Sequence, residues 1–245
     1  MQVEKNIKSN YLKESICIAL DVDHSETALS LVDQLKDYVG FFKIGMQLFY
    51  NYGPDLVQKL VAKGVKVFLD LKFHDIPNTV KQASIAATRM NVHMFNVHTA
   101  GGLTMMQQAV EGAKNISEKE NIPMPTLLGV TILTSLTQYM LTRQLNWPGT
   151  IDDKVTRLAS LSKEAGLQGV VSSPHEIELI RKSCGQDFTI VTPGVRPQWS
   201  VLDDQKRVML PMQAIEKGAS MIVVGRPVIR ADEPVKAVQQ LFCAG

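Results

Sequence analysis

Asp70 and Lys72 stand two residues apart in the run Val-Phe-Leu-Asp-Leu-Lys-Phe-His-Asp (67–75). Such a carboxylate–ammonium pair is equipped to manage a proton. Side chains alternate along a strand, so Phe68, Asp70 and Lys72 share one face, while Val67, Leu69 and Leu71 share the other. The aliphatic face suits packing against helices. Asp70 and Lys72 then point the opposite way, with Cα atoms about 6–7 Å apart. A buried ion pair contributes little to stability. An ammonium held charged by a carboxylate can instead deliver a proton. The alternative is a structural salt bridge. Asp75 would lie about 16 Å from Asp70 along an extended chain. It either folds back or faces something else, such as a neighbouring subunit. Its plainer alternative is a helix N-cap beside Pro77, a residue suited to a first helical turn.

Further chargeable residues recur where apolar runs end: Asp21, Asp23, Lys43, His98, Arg196 and Arg226. Thr-Pro-Gly-Val-Arg (192–196) and Val-Gly-Arg-Pro (224–227) carry features of an anion site. Gly194 and Gly225 let backbone N–H groups approach an anion, and Arg226 adds a permanently charged, bidentate donor. Two ordinary tight turns are the alternative. The polar segment 196–207, tipped by Trp199, reads as a lid or as a plain surface loop. The histidines His24, His74, His93, His98 and His175 show no HExxH or other metal-ligand spacing, so no metal site is expected. His98 reads as a packed, hydrogen-bonded residue, and Met105 and Met106 as core filling. No Gly-x-Ser-x-Gly elbow and no Walker loop is present.

These residues need a scaffold, and one pattern supplies it: a short β-branched run, a polar turn, then a helical stretch. Strands are expected near 16–21, 42–44, 65–71, 94–97, 127–131, 169–172, 189–191 and 221–224. Ala28, Leu31, Val32 and Leu35 form the stripe of a one-sided helix, with Asp23 and Glu26 at capping-box spacing before it. Val155, Leu158, Ala159 and Ser162 repeat that stripe. Eight strand–helix units predict a parallel (β/α)8 TIM barrel, one α/β domain spanning 1–245. The chargeable residues fall at the strand ends where such a barrel carries its site, and the last two loops sit where barrels bind phosphate. A doubly wound sheet is the rival, but no Gly-x-Gly-x-x-Gly follows the first strand.

The composition is that of a globular protein: 245 residues, 45% hydrophobic, 20% charged, net charge +2. No domain-wide basic excess points to nucleic acid. Cys17, Cys184 and Cys243 form no CxxC pair, which argues against a disulfide scaffold or a cysteine zinc site. No apolar run approaches the ~20 residues of a membrane helix, and no leader pattern is seen. A cytoplasmic protein with no membrane partner is the expectation.

The segment Asp70-Leu71-Lys72-Phe73-His74-Asp75-Ile76-Pro77-Asn78-Thr79 resembles the DxKxxDIPxT signature of the orotidine 5′-monophosphate decarboxylase family, in its shorter bacterial branch. The resemblance runs through the chain. It includes Leu20-Asp21, Phe42-Lys43-Ile44-Gly45, Leu133-Thr134-Ser135, residues 192–196, Asp203-Asp204-Gln205-Lys206-Arg207 and residues 224–227. It implies decarboxylation of orotidine 5′-monophosphate to uridine 5′-monophosphate with no cofactor, in a homodimer with shared active sites. By resemblance, Lys72 is the general acid and Asp70 sits beside the substrate carboxylate. Asp75 and Thr79 reach into the partner's site, and Asp21 and Lys43 bind ribose. Thr134 and Ser135 line the pyrimidine. Gln205 bridges base and phosphate, while Arg196, Gly225 and Arg226 serve the phosphate. The rivals are a Mg²⁺-dependent sugar-phosphate decarboxylase or hexulose-phosphate synthase, and a non-catalytic nucleotide-binding barrel. The first prefers a carboxylate where Lys43 stands. The second has no need of Asp70, Lys72 and Asp75 together.

Overall fold

A computed structural model describes residues 11–200 and 209–242. Eight strands close into a parallel barrel in sequence order: β1 (Ile16–Ala19), β2 (Phe41–Gly45), β3 (Lys66–Phe73), β4 (Met94–His98), β5 (Thr126–Val130), β6 (Gly169–Val171), β7 (Thr189–Pro193) and β8 (Met221–Val224). Around them run α1 (Ser25–Leu35), α2 (Met46–Ala62), α3 (Pro77–Arg89), α4 (Gly102–Glu120), α5 (Ile151–Glu164), α6 (Ile177–Cys184) and α7 (Pro211–Glu216), followed after β8 by α8 (Arg226–Ile229) and α9 (Pro234–Gln239). This is the expected TIM barrel. Among the described residues, no helix is long and apolar enough to cross a membrane.

Strand alternation divides the apolar residues between two cores. Val67, Leu69, Phe95, Leu127 and Ile222 face outward and pack under the helices. Cys17, Ala19, Phe68, Met94, Leu128, Val191 and Met221 fill the barrel interior. Ala28, Leu31, Val32 and Leu35 are all buried on α1, and Met105 and Met106 are fully buried on α4. The interior core fills the barrel below, and a cavity opens above it at the C-terminal strand ends.

Three local expectations are corrected. Asp23 does not cap α1. His24 holds the N-cap position without a side-chain bond, and Asp23 Oδ1 instead accepts from Gln47 Nε2 at 2.6 Å. Asp75 does not cap α3, whose N-cap is Ile76. The Asp75 carboxylate accepts from the Ile76 N–H at 2.6 Å, one residue too early to reach the helix's open donors. His98 makes no side-chain hydrogen bond to a described residue. Its ring packs at 5.2 Å against His74, and burial first, then His74 and Lys72, hold its pKa below the ordinary histidine value.

Strand β3 is irregular where it carries its polar residues. Leu69 pairs with Phe95 and Phe73 with Val97, so four steps of β3 run opposite two of β4. The surplus chain leaves the β3–β4 ladder between Leu69 and Phe73, while Asp70 still pairs with Gly45 of β2. Lys72 has φ 52°, a left-handed value that a non-glycine residue adopts only when its surroundings hold it there.

Candidate active site

A cavity of about 440 Å³ opens at the C-terminal ends of the strands. Ala19, Phe68, Val130 and Val223 form its apolar floor, and Asp21, Lys43, Asp70, Lys72, Thr134, Arg196, Gly225 and Arg226 line it above. Eight of the twelve predicted site residues thus meet in one space.

Charges alternate along one wall. Lys43 Nζ lies 3.2 Å from Asp21 Oδ1 and 3.3 Å from Asp70 Oδ2, and Lys72 Nζ lies 2.7 Å from Asp70 Oδ1. Lys43 is buried, and burial alone would depress its ammonium pKa, yet Asp70 and Asp21 raise it above the ordinary lysine value. Burial alone would likewise raise Asp70. Lys43 and Lys72 outweigh it, aided by hydrogen bonds from Lys72 and Asn96, and hold the carboxyl below the usual range. Lys43 and Asp70 thus hold each other in their charged forms. The Cys17 thiol beneath is pushed up by burial and stays neutral. Gly45 ends β2 beside this row, where an added Cβ would lie 3.0 Å from Lys43 Nζ.

The sequence reading missed Asn96. It is buried on β4, on the same inner face as Met94. Its Nδ2 donates to Asp70 Oδ1 at 2.7 Å, and its Oδ1 accepts the Lys72 backbone N–H at 2.8 Å. The available signal was one amide in an otherwise apolar run, Met-Phe-Asn-Val. Ser172, just after β6, was also missed. It lines the cavity, and its hydroxyl has no partner among the described residues.

The part of the rim supplied by β7 and β8 is cationic. Arg196 follows β7 and Arg226 follows β8, and neither makes an ion pair with a described carboxylate. Burial first, and then Arg226, lower the Arg196 pKa. Two guanidiniums that line one cavity with no described carboxylate to pair them suit a dianion. Gly194 turns the chain here at φ 82°, a conformation glycine adopts without steric penalty.

Four predicted residues lie elsewhere. Ser135 lines a neighbouring cavity of about 750 Å³ that shares Ile132, Leu133, Thr134 and Gly194 with the first. Asp75 and Thr79 are exposed at the start of α3 and do not line the cavity. Gln205, with Asp203, Asp204, Lys206 and Arg207 of the expected lid, lies outside the described residues.

Comparison with known proteins gives one answer. Residues 14–241 match the sequence model described as "Orotidine 5′-phosphate decarboxylase / HUMPS family". The chain is 50% identical over 231 residues to orotidine 5′-phosphate decarboxylase of Syntrophomonas wolfei, covering 94% of this chain and 97% of the relative. It is 48% identical over 230 residues to that of Syntrophotalea carbinolica, covering 94% and 93%. Among solved structures, orotidine 5′-phosphate decarboxylase from Lactobacillus acidophilus superposes with a TM-score of 0.81 at 37% identity, over 92% of this chain and 96% of that one.

Proposed function

The chain belongs to the orotidine 5′-phosphate decarboxylase / HUMPS family, and from that membership we propose that it converts orotidine 5′-monophosphate to uridine 5′-monophosphate and carbon dioxide. This is the last step of de novo pyrimidine synthesis, which we place in the cytoplasm. One observation carries the assignment: the row Asp21–Lys43–Asp70–Lys72 and an arginine pair line one nucleotide-sized cavity. A nucleotide has the matching anatomy, with a reactive base at one end and a dianion at the other.

In this reading the C6–carboxylate bond breaks and carbon dioxide leaves, with the electron pair retained at C6. Lys72 Nζ gives its proton to that carbon and is left as a neutral amine, which solvent reprotonates. Asp70 stands beside the departing carboxylate and holds Lys72 in place until the proton moves. The ammonium is in place before charge develops, so it stabilises the carbanion without reorganisation. Asp21 and Lys43 take the ribose hydroxyls. Thr134 and Ser135 serve the pyrimidine, with Gln205 bridging base and phosphate. Arg196, Gly225 and Arg226 grip the phosphate. Binding energy gained at that remote end offsets the cost of setting the substrate carboxylate against Asp70.

The reading needs no metal. A divalent cation prefers a ring of oxygen donors, and Lys43 already places an ammonium between Asp21 and Asp70. We also assign Asp75 and Thr79 to the neighbouring subunit's site in a homodimer. Their exposure at the start of α3, away from this chain's own cavity, supports that assignment.

The test is turnover of orotidine 5′-monophosphate in EDTA, followed by ultraviolet absorbance and carbon dioxide release. Rapid turnover is expected. Silence here, with activity on a sugar phosphate in Mg²⁺, would move the chain to a different reaction of the same barrel. Binding of uridine 5′-monophosphate with no turnover of any substrate would make it a nucleotide-binding protein.

A further inference from the structure

We propose that Asn96 is a positioning residue that sets both partners of the proton-transfer pair at once. The inference rests on the decarboxylase reading for its consequence and on geometry for its cause. Where β3 bulges out of register with β4, the Lys72 backbone N–H has no ladder carbonyl opposite it. Asn96 sits on β4 between Phe95 and Val97, the two residues that bracket the mismatch. Its side-chain carbonyl accepts that N–H at 2.8 Å, replacing the missing ladder bond. Its amide N–H donates at 2.7 Å to Asp70 Oδ1, the same oxygen that holds Lys72 Nζ.

One buried side chain therefore fixes the left-handed backbone of Lys72 and the carboxylate that receives its ammonium. The task needs an acceptor and a donor on adjacent atoms within an apolar surround. Asparagine supplies both without adding charge, as does a protonated aspartic acid. Leucine has the shape and neither group. An ionised aspartate keeps the acceptor, loses the donor and repels Asp70.

Asn96 touches no reacting atom in this account. Its loss acts through misplacement of Lys72, and misplacement by about 1 Å can cost about a hundredfold in rate. Asn96→Leu is expected to lower kcat about a hundredfold, with KM and uridine 5′-monophosphate affinity changing less than about threefold. Asn96→Asp supplies a readout that a purely structural role would not move. Its activity relative to wild type, measured from about pH 8 down to about pH 5, is expected to rise as the introduced carboxylate takes up a proton and regains the donor.

A kcat for Asn96→Leu within about threefold of wild type in the folded protein would overturn the proposal. A flat ratio for Asn96→Asp would overturn it too, and this second variant decides the matter if Asn96→Leu does not fold. Wild-type turnover separates the two readings, because silence there defeats the decarboxylase assignment alone. A crystal structure of Asn96→Leu then tests the positioning role without activity. Lys72 is expected to leave its positive φ, and an unchanged Lys72 backbone with an unchanged Asp70 contact would overturn the proposal.

Discussion

Lys72 Nζ reaches Asp70 Oδ1 at 2.7 Å from a backbone held at φ 52°. Such a conformation costs on the order of 1–3 kcal/mol for a non-glycine residue. The fold sustains it through the β3 bulge and the Asn96 hydrogen bond. The strain buys a defined position for the ammonium, beside a carboxylate and at the mouth of a cavity. A residue in regular β conformation would hold its neighbours in the ladder and leave no surplus chain to aim.

Lys72→Ala tests what that position is for. Removing a positioned general acid should lower kcat by about 10²–10⁴-fold or more. The rest of the charge row stays in place, so uridine 5′-monophosphate should still bind. Steady-state kinetics with product binding by calorimetry checks both. Near-normal kcat would remove Lys72 from proton transfer.

Asp70→Asn should unsettle the fold as well as the chemistry. It leaves Lys43 and Lys72 as neighbouring cations, with only Asp21 to balance Lys43. Breaking a buried pair costs about 3–5 kcal/mol, or a fall in Tm of about 6–20 °C for a chain of this size. The pH dependence has a definite sign. The folded pKa of Asp70 is depressed, so its contribution is present above the ordinary carboxylate pKa and is lost as pH falls through the folded value. The folded pKa of Lys43 is raised, so its contribution is present below the ordinary lysine pKa and is lost as pH rises through the folded value. The Tm gap between wild type and Asp70→Asn should therefore be widest near neutrality and close in strong acid. A gap that persists unchanged into strong acid would sink the assignment.

The barrel was legible because strand alternation has a short period. Phe68 and Asp70 could be placed inward, and Leu69 outward, by counting in twos. The same count put Lys72 beside Asp70, but the structure brings them together by a different route. The bulge breaks the alternation, and nothing in Leu-Asp-Leu-Lys announces a left-handed lysine. Asn96 was overlooked because its role depends on a register shift between β3 and β4, a tertiary property. Asp23 and Glu26 had capping-box spacing, yet Gln47 on α2 competes for the Asp23 carboxylate. In the proposed dimer the place of Asp75 depends on a second chain, and no single-chain pattern can supply it. The arginines were easier. A loop after β7 and another after β8 must meet in a closed barrel, so Arg196 and Arg226 were adjacent once the strand count was known.

That adjacency makes Arg226→Ala a test of the phosphate grip. An exposed arginine at a cavity wall has no described carboxylate partner to lose, so the fold should be unaffected. Loss of charge-assisted hydrogen bonds worth about 1.5–3 kcal/mol should lower kcat/KM about 10- to 150-fold. Orotidine, which lacks the phosphate, should be processed equally poorly by variant and wild type. Unchanged kcat/KM for the nucleotide would take Arg226 out of the site.

The partner contribution of Asp75 has the most discriminating test. In a shared-site dimer, each cavity uses Lys72 from its own chain and Asp75 from its neighbour. Lys72→Ala and Asp75→Asn homodimers should each be strongly impaired. Mixed and allowed to exchange subunits, they form hybrids in which one cavity carries both substitutions, and the other keeps a wild-type Lys72 and a wild-type Asp75. With random pairing, half the dimers are hybrids with one intact site of two, so about a quarter of wild-type activity should return. Exchange is verified by tagging one variant and co-purifying the other. Recovery at that level places Asp75 across the interface. Verified hybrids with no recovery would place it on its own chain's site or outside catalysis, and the exposed start of α3 would then need another partner.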